Sequence, residues 1–468
     1  MDSTELHGTW WLPGEEDQPQ HGTAMIAANG TVALTLIGGF DPSVKQQIDD
    51  TFATISVGRL FPLVLGETQQ GKVSLVNLQT LSARGGSFGF SRPTLHRLHA
   101  QAALVGAHLS DPDERAFRRA ELRFEQFTDW LQPENMTGRV HIDGSTSTAE
   151  INSAEPQRAE VDGWTVEATV ENRHFRYLHR RDSISLTGDV TAAIVVTPAE
   201  SASYSDFNTI IQSLSDLMTL ASGMPSGLIS MKLLHAEPNR FRFPRSDEHI
   251  DRRVWVTFHA RRIHEARPDE PAVDAADFRF TSQDLSFKET IETWLPLRAK
   301  ARAACNVFFG LEYDRPAFLD MRVLQVAIAA ETLHEDLRGS VTDFPDSEFK
   351  VLKEDLLAAT KDERQRAWVK EKLRNAPSFR ERLLALASIP VPGTMAAFTE
   401  DQEDWARRLV KVRNGLAHAG NARGERNLFA LMLVTTAILN TVFLTELGVP
   451  AQVIDRAMTR NFYLPPDS

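Results

Sequence analysis

Arg407, Lys411, Asn414 and His418 recur at i, i+4, i+7 and i+11. At about 100° per residue this spacing lines them along one edge of an α-helix. Trp405, Leu409, Val412 and Leu416 follow the same spacing on the other side, so one face is apolar and the other carries functional groups. Imidazole titrates near neutrality, so His418 can give or take a proton. The planar fork of Arg413 suits two phosphate oxygens at once. From Asp404 to Arg426 there are six basic residues (Arg407, Arg408, Lys411, Arg413, Arg423, Arg426) and two acidic ones (Asp404, Glu425). The segment is thus +4 in a chain of net charge −12. A local basic strip on an acidic protein fits a polyanion held at one place rather than over the whole surface. The plain alternative is a solvated face whose terminal cations complement the helix dipole.

The helix carrying these groups is well marked. Thr399 and Gln402 have capping-box spacing, and Glu400, Asp401, Glu403 and Asp404 crowd the end where the dipole favours acids. Gly420 is placed to stop it.

Arg413-Asn414-Gly415-Leu416-Ala417-His418 resembles the R-x(4–6)-H motif of the HEPN superfamily, with the polar residue that commonly follows the arginine. Ala330-Glu331-Thr332-Leu333-His334 and Ser378-Phe379-Arg380-Glu381-Arg382-Leu383 resemble upstream helices of the same group. The N-terminal GTWWLPGEE (8–16), followed by strands ending in TLIGGF, resembles the β-rich domain that precedes HEPN in ApeA-like anti-phage proteins. The resemblance covers nearly the whole chain. It implies a metal-independent endoribonuclease without cofactor, acting in abortive infection and released by a phage-derived trigger. It also implies a homodimer, or a higher homo-oligomer, in which two motifs face one RNA cleft. On this reading His418 is the acid/base, Arg413 holds the phosphate, and Asn414 orients phosphate or imidazole. Arg407, Lys411 and Arg423 contact RNA, and Glu331 supports the motif from an earlier helix. The other reading is a HEPN module that binds nucleotide or RNA as a regulator without cutting.

Asn414 and His418 share a face, whereas Arg413 and His418 are five apart, about 140° around an ideal helix. Arg413 can reach round on its stem, Gly415 can distort the helix, or Arg413 can serve the partner chain's histidine. The last explains why a dimer would be required.

The elements that position this helix divide the chain. Segments 22–28, 30–40, 71–81, 138–144, 164–172, 183–197, 227–236 and 252–260 are rich in Val, Ile and Thr between Gly, Asp and Asn turns, which predicts strands. A helix is expected within 203–221, where Phe207, Ile210, Ile211, Leu214 and Leu217 have helical spacing. This predicts a β-rich sandwich or barrel-like domain with an inserted helix over 1–275. The stretch 266–277 has linker chemistry, and Ser286 with Glu289 opens a helix by capping-box spacing. Helices are expected at about 287–309 (kinked or broken at Pro296), 317–337, 346–359, 362–374, 378–388, 400–419 and 426–447. An all-α bundle thus occupies 283–450, with a tail at 451–468.

The chain has 468 residues, enough for two to four cored domains, and its 42% hydrophobic and 24% charged residues exclude wholesale disorder. The uncharged run Asn427–Thr445 is near membrane-spanning length. Its frequent Asn and Thr read instead as the central helix of a soluble bundle, with no membrane. The acidic, polar N-terminus differs from a signal peptide, which points to the cytoplasm. A single Cys305 excludes an internal disulfide and a cysteine-based zinc cluster.

Other constellations carry less chemistry. Glu331-x-x-His334 has di-iron spacing without a second pair. His96 and His99, read as one helical face, lack a third ligand. Arg173–Arg181 interleaves base and aromatic and reads either as a plain strand or as a single-strand RNA platform. Gly85–Gly89 lacks the lysine of a phosphate loop and reads as a turn. No metal site is expected.

Overall fold

The computed structural model describes residues 3–461, apart from 42–43, 49–50, 56–58, 85–93, 133–135, 141–146, 152–154, 173–175, 188, 243–248, 265–272, 340–341, 423 and 426. The chain divides into two compact units. One comprises Met1–Met218 with Ser226–Ala272, the other Thr219–Pro225 with Val273–Ser468.

The first unit is built on strands β1 (Thr4–Trp11), β2 (Gln20–Ile26), β3 (Val32–Ile37), β4 (Leu60–Thr68), β5 (Gly71–Arg84) and β6 (Leu95–Val105). Each pairs antiparallel with two neighbours in the cyclic order β1-β2-β3-β6-β5-β4. The sheet therefore closes into a six-stranded barrel, which leaves no free edge. Alternation fills it: Val32, Leu34 and Leu36 point inward, as do Leu6, Trp10, Ala24, Ile26, Leu98 and Ala100. The Trp10 indole lies against the backbone of Gly66, where an added Cβ would run into the ring. Its Nε1–H donates to the Gly22 carbonyl at 3.2 Å.

A second run of strands comprises β7 (Phe117–Phe124), β8 (Gln157–Val161), β9 (Trp164–Asn172), β10 (Val190–Pro198), β11 (Leu228–His235) and β12 (Trp255–Ala260). Their order is β8-β9-β10-β7-β11-β12, and β12 pairs with the end of β6. Four two-stranded hairpins complete the described strands, at 44–55, 136–151, 176–187 and 239–252. The short helix α1 (Phe127–Leu131) packs on β10. Helix α2 (Tyr204–Ser222) belongs to this unit through Met218.

The expected β-rich, barrel-like domain with an inserted helix is present. His96 and His99 differ from the expectation of one helical face. They lie on β6, where residues three apart point to opposite sides. His96 is fully buried in the barrel, its Nε2 3.0 Å from the Thr80 hydroxyl, while His99 is only partly buried. Gly85–Gly89 lies outside the described residues. In Arg173–Arg181 the first three residues are also outside them, and Arg176–His179 forms a hairpin strand.

The second unit is all-helical: α3 (Phe287–Lys300), α4 (Arg302–Tyr313), α5 (Leu319–Arg338), α6 (Asp346–Ala359), α7 (Glu363–Lys372), α8 (Phe379–Ala387), α9 (Pro392–Phe398), α10 (Gln402–Ala419), α11 (Leu428–Leu447) and α12 (Ala451–Asn461). Pro296 sits inside α3 without ending it; the break falls at Ala301 instead. The segment read as a tail begins with α12, whose Val453, Ile454, Ala457 and Met458 are buried. Their spacing makes one apolar face. Helix α11 is the central helix, in contact with α3, α5, α8, α9, α10 and α12. Among the described residues it alone is long and apolar enough to cross a membrane, and most of it is buried in this unit. Its polar groups turn inward on the backbone: Thr435, Thr441 and Thr445 donate to carbonyls four residues back. Trp294, Phe308, Phe309 and Phe443 interlock at ring separations of 5.3–6.3 Å. By contrast α6 and α7 bury no residue and expose Val351, Leu352, Leu356 and Trp368.

Candidate functional site

Helix α10 presents the basic strip. Its first turn carries Glu403 and Asp404, and its N-cap is Asp401, which accepts from the Asp404 N–H at 2.9 Å. The expected Thr399–Gln402 capping box is not formed. Thr399 instead closes α9, and its hydroxyl donates to the Asp401 carbonyl at 3.1 Å. A carboxylate two residues later takes the cap because it accepts more strongly from the orphan N–H groups. At the other end Gly420 adopts φ 63°, and its N–H returns to the Gly415 carbonyl. Trp405, Leu409 and Val412 are buried as the stripe requires, and Leu416 is half-buried. The Trp405 indole N–H donates to Thr435 of α11 at 3.1 Å, which fixes the rotation of α10.

That rotation turns the strip outward. Arg407, Lys411 and His418 are exposed, and Asn414 is half-buried. Arg423 lies outside the described residues, as does Arg426. Arg413 is held on three sides. One Nη donates to Glu331 Oε2 of α5 at 3.0 Å, and the other donates to Asn414 Oδ1 at 3.3 Å. The Phe379 ring of α8 lies 5.7 Å from the guanidinium carbon, within cation–π range. The Glu331 and Arg413 side chains each keep about 30% of their surface exposed (31% and 30%), so further guanidinium N–H groups remain open to solvent.

The sequence count of +4 needs revision. Arg407 pairs with Asp404, Arg408 makes a bidentate contact to Glu425 at 3.0 and 3.2 Å, and Arg413 pairs with Glu331. The hydrogen bonds that Arg408 donates to Glu425 hold its guanidinium above its ordinary range. The strip is thus less positive than the local sequence implies, because Glu331 arrives from 82 residues away.

The structure brings together Arg413, Asn414 and Glu331 directly. His418 stands one turn further along the same helix, exposed, and no hydrogen bond joins it to Arg413. Phe379 belongs to this cluster and escapes residue-type reasoning, since an aromatic at a capped helix start reads as core; the SFRERL segment is its only signal. His334, the partner of Glu331 in the di-iron spacing, makes no contact with Arg413 comparable to that of Glu331. It is buried, and burial first, then Arg382 and Arg338, hold it below the ordinary imidazole range. Among the described residues no three His, Cys, Asp or Glu side chains converge to hold a metal ion. A hollow of about 490 Å³ lies at the opposite end of α10. Glu400, Asp401 and Asp404 line it, so it repels a polyanion.

A β-rich domain followed by a helical bundle, with Arg-x4-His ending a late helix, defines a HEPN-type protein with an N-terminal β-rich domain. The chain belongs to the ApeA-like HEPN family: the model of ApeA N-terminal domain 1 matches residues 5–294, and that of Apea-like HEPN matches 324–453. No curated protein and no solved structure matches the chain.

Proposed function

We propose that the chain is a metal-independent endoribonuclease of ApeA-like anti-phage defence, acting in the cytoplasm without a membrane partner. HEPN domains are often ribonucleases, and the observation that carries the reading here is the Arg413–Asn414–Glu331 cluster one turn from an exposed imidazole. RNA supplies its own nucleophile. The 2′-oxygen attacks the adjacent phosphorus as its proton passes to a base, and the bond from phosphorus to the 5′-oxygen breaks as that oxygen takes up a proton. The products are a 2′,3′-cyclic phosphate and a 5′-hydroxyl. His418 is the acid/base group, and two copies of it in a homodimer supply the base and the acid separately. Arg413 stabilises charge on the phosphorane oxygens. Glu331 and Phe379 hold its fork in place, and Arg407, Lys411 and Arg423 draw in the strand. The β-rich domain senses a phage-derived trigger or restrains the nuclease.

The experiment is cleavage of RNA by purified full-length protein in chelator. Wild type yields fragments ending in cyclic phosphate and spares DNA, and His418→Ala does not cleave. Equal cleavage by both chains refutes the role of His418. Mixing Arg413→Ala with His418→Ala chains tests whether the arginine acts across the dimer, and full activity from a monomer ends that idea. A second reading, binding of nucleotide or RNA without cleavage, is favoured by the ion pair that occupies Arg413. It predicts RNA binding by wild type with no fragments, in the presence of the phage trigger as in its absence.

A further inference from the structure

The first unit contains a cavity of about 850 Å³, far from small for a drug-sized or nucleotide-sized ligand. One wall is the outer face of the barrel, with Asn77 and Gln79 on β5 and His99 and Gln101 on β6. The facing wall is α2, which contributes Tyr204, Asn208, Ile211, Gln212 and Ser215. These five residues fall at i, i+4, i+7, i+8 and i+11, a single helix face.

Two features of this lining select a ligand. None of the described lining residues is a carboxylate, in a chain with 63 of them, whereas Arg261 and Arg262 and two histidines are present. The cavity therefore rejects cations and accepts a neutral or anionic guest. Five of its polar side chains are carboxamides, each with a donor and an acceptor at fixed separation. That is the complement of a nucleobase edge. Leu60, Ile229, Phe258 and Ile263 supply the apolar surface that a flat ring needs.

The backbone is shaped for the same end. Asn77 has φ 51°, a left-handed conformation inside a paired strand. This position directs its side-chain amide to Gln101 Oε1 at 2.7 Å, so the two carboxamides form a fixed pair on the cavity wall. Arg262 is anchored through Nη2 to the Ile229 carbonyl at 3.1 Å, while Arg261 is exposed. Burial, then the charge of Arg262, hold His259 below the ordinary imidazole range, so it enters the wall as a neutral donor and acceptor.

We propose that this cavity is a binding site for a nucleoside phosphate, its base read by the carboxamides and its phosphates met by Arg261 and Arg262. The inference is independent of whether the helical unit cuts RNA.

The test is isothermal titration of the full-length protein with ATP, GTP, CTP and UTP in turn, with adenosine and inorganic triphosphate as controls. At least one nucleotide binds saturably below 1 mM, by about tenfold or more over inorganic triphosphate. Asn208→Leu and Arg261→Glu, both at exposed positions, each weaken it by about tenfold or more. Failure of all four nucleotides to bind wild type overturns the proposal. So does equal binding of inorganic triphosphate, or binding unchanged in both variants. Loss of binding in Arg413→Ala instead places the nucleotide in the helical unit and overturns it equally.

Discussion

Replacing Arg413 separates chemistry from fold, and the geometry sets both magnitudes. The ion pair with Glu331 is 3.0 Å long, but about 30% of each side chain faces water (30% and 31%). Such a pair contributes at most about 1 kcal/mol, and the half-buried contact with Phe379 adds about 0.5–1 kcal/mol. Glu331 left behind stays hydrated, so no large desolvation cost follows. Arg413→Ala should therefore lower stability by about 1–2 kcal/mol, or a few degrees in melting temperature for a unit of this size. Its effect on RNA cleavage should be far greater. Removing a donor aimed at developing charge costs about 10²–10³ in rate. Arg413→Lys should recover stability more than activity. A single ammonium cannot span Glu331 and Asn414 as the two Nη groups do. The assay pairs melting curves with initial rates on a fluorogenic RNA at matched folded fraction. A cleavage loss under about tenfold in the alanine variant, or one accounted for by unfolding alone, would refute the placement of Arg413 at the scissile phosphate.

Burial holds His96 below the ordinary imidazole value of 6.5, so the unfolded chain takes up its proton first as pH falls. Stability should thus be full above about pH 6.5 and decline below it, by up to about 1.4 kcal/mol per pH unit, until the folded histidine also titrates. Melting curves from pH 7.5 to 5 should show a shallower decline for His96→Met; an identical decline would exclude this histidine as a source. Gly66→Ala forces a methyl group into the Trp10 ring and should cost about 1–3 kcal/mol, read as a shift in the urea midpoint of the barrel. Thr435→Val leaves the buried Trp405 N–H without its acceptor and should destabilise the helical unit by about 1–3 kcal/mol. Tryptophan fluorescence under denaturant measures it.

The helix bearing His418 is legible because its signals are local: acids at its start, a glycine at its end, and an apolar stripe between. Even there the capping residue shifts from Thr399 to Asp401, since several oxygen acceptors compete within three positions. What lies across the fold is not legible from the residues alone. Glu331 meets Arg413 only after α5 and α10 pack, whereas its spacing to His334 suggests a metal pair that no third ligand completes among the described residues. Strands fail for a different reason. The LHRLHAQAALV of β6 and FRRAELRF of β7 carry charged, histidine or alanine residues that resemble helix composition. They become strands because both have neighbours on each edge. Val, Ile and Thr segments such as β3 and β9 reveal themselves, but the closure of six strands into a ring does not.

Strand β6 bonds β5 along one edge, and β3 and then β12 along the other. Among the described strands the ring meets the flanking sheet through one short ladder, Ala102–Val105 of β6 against Thr257–Ala260 of β12. Because β6 also bonds β5 and β3 inside the ring, a lesion on this strand would be felt on both sides of that seam.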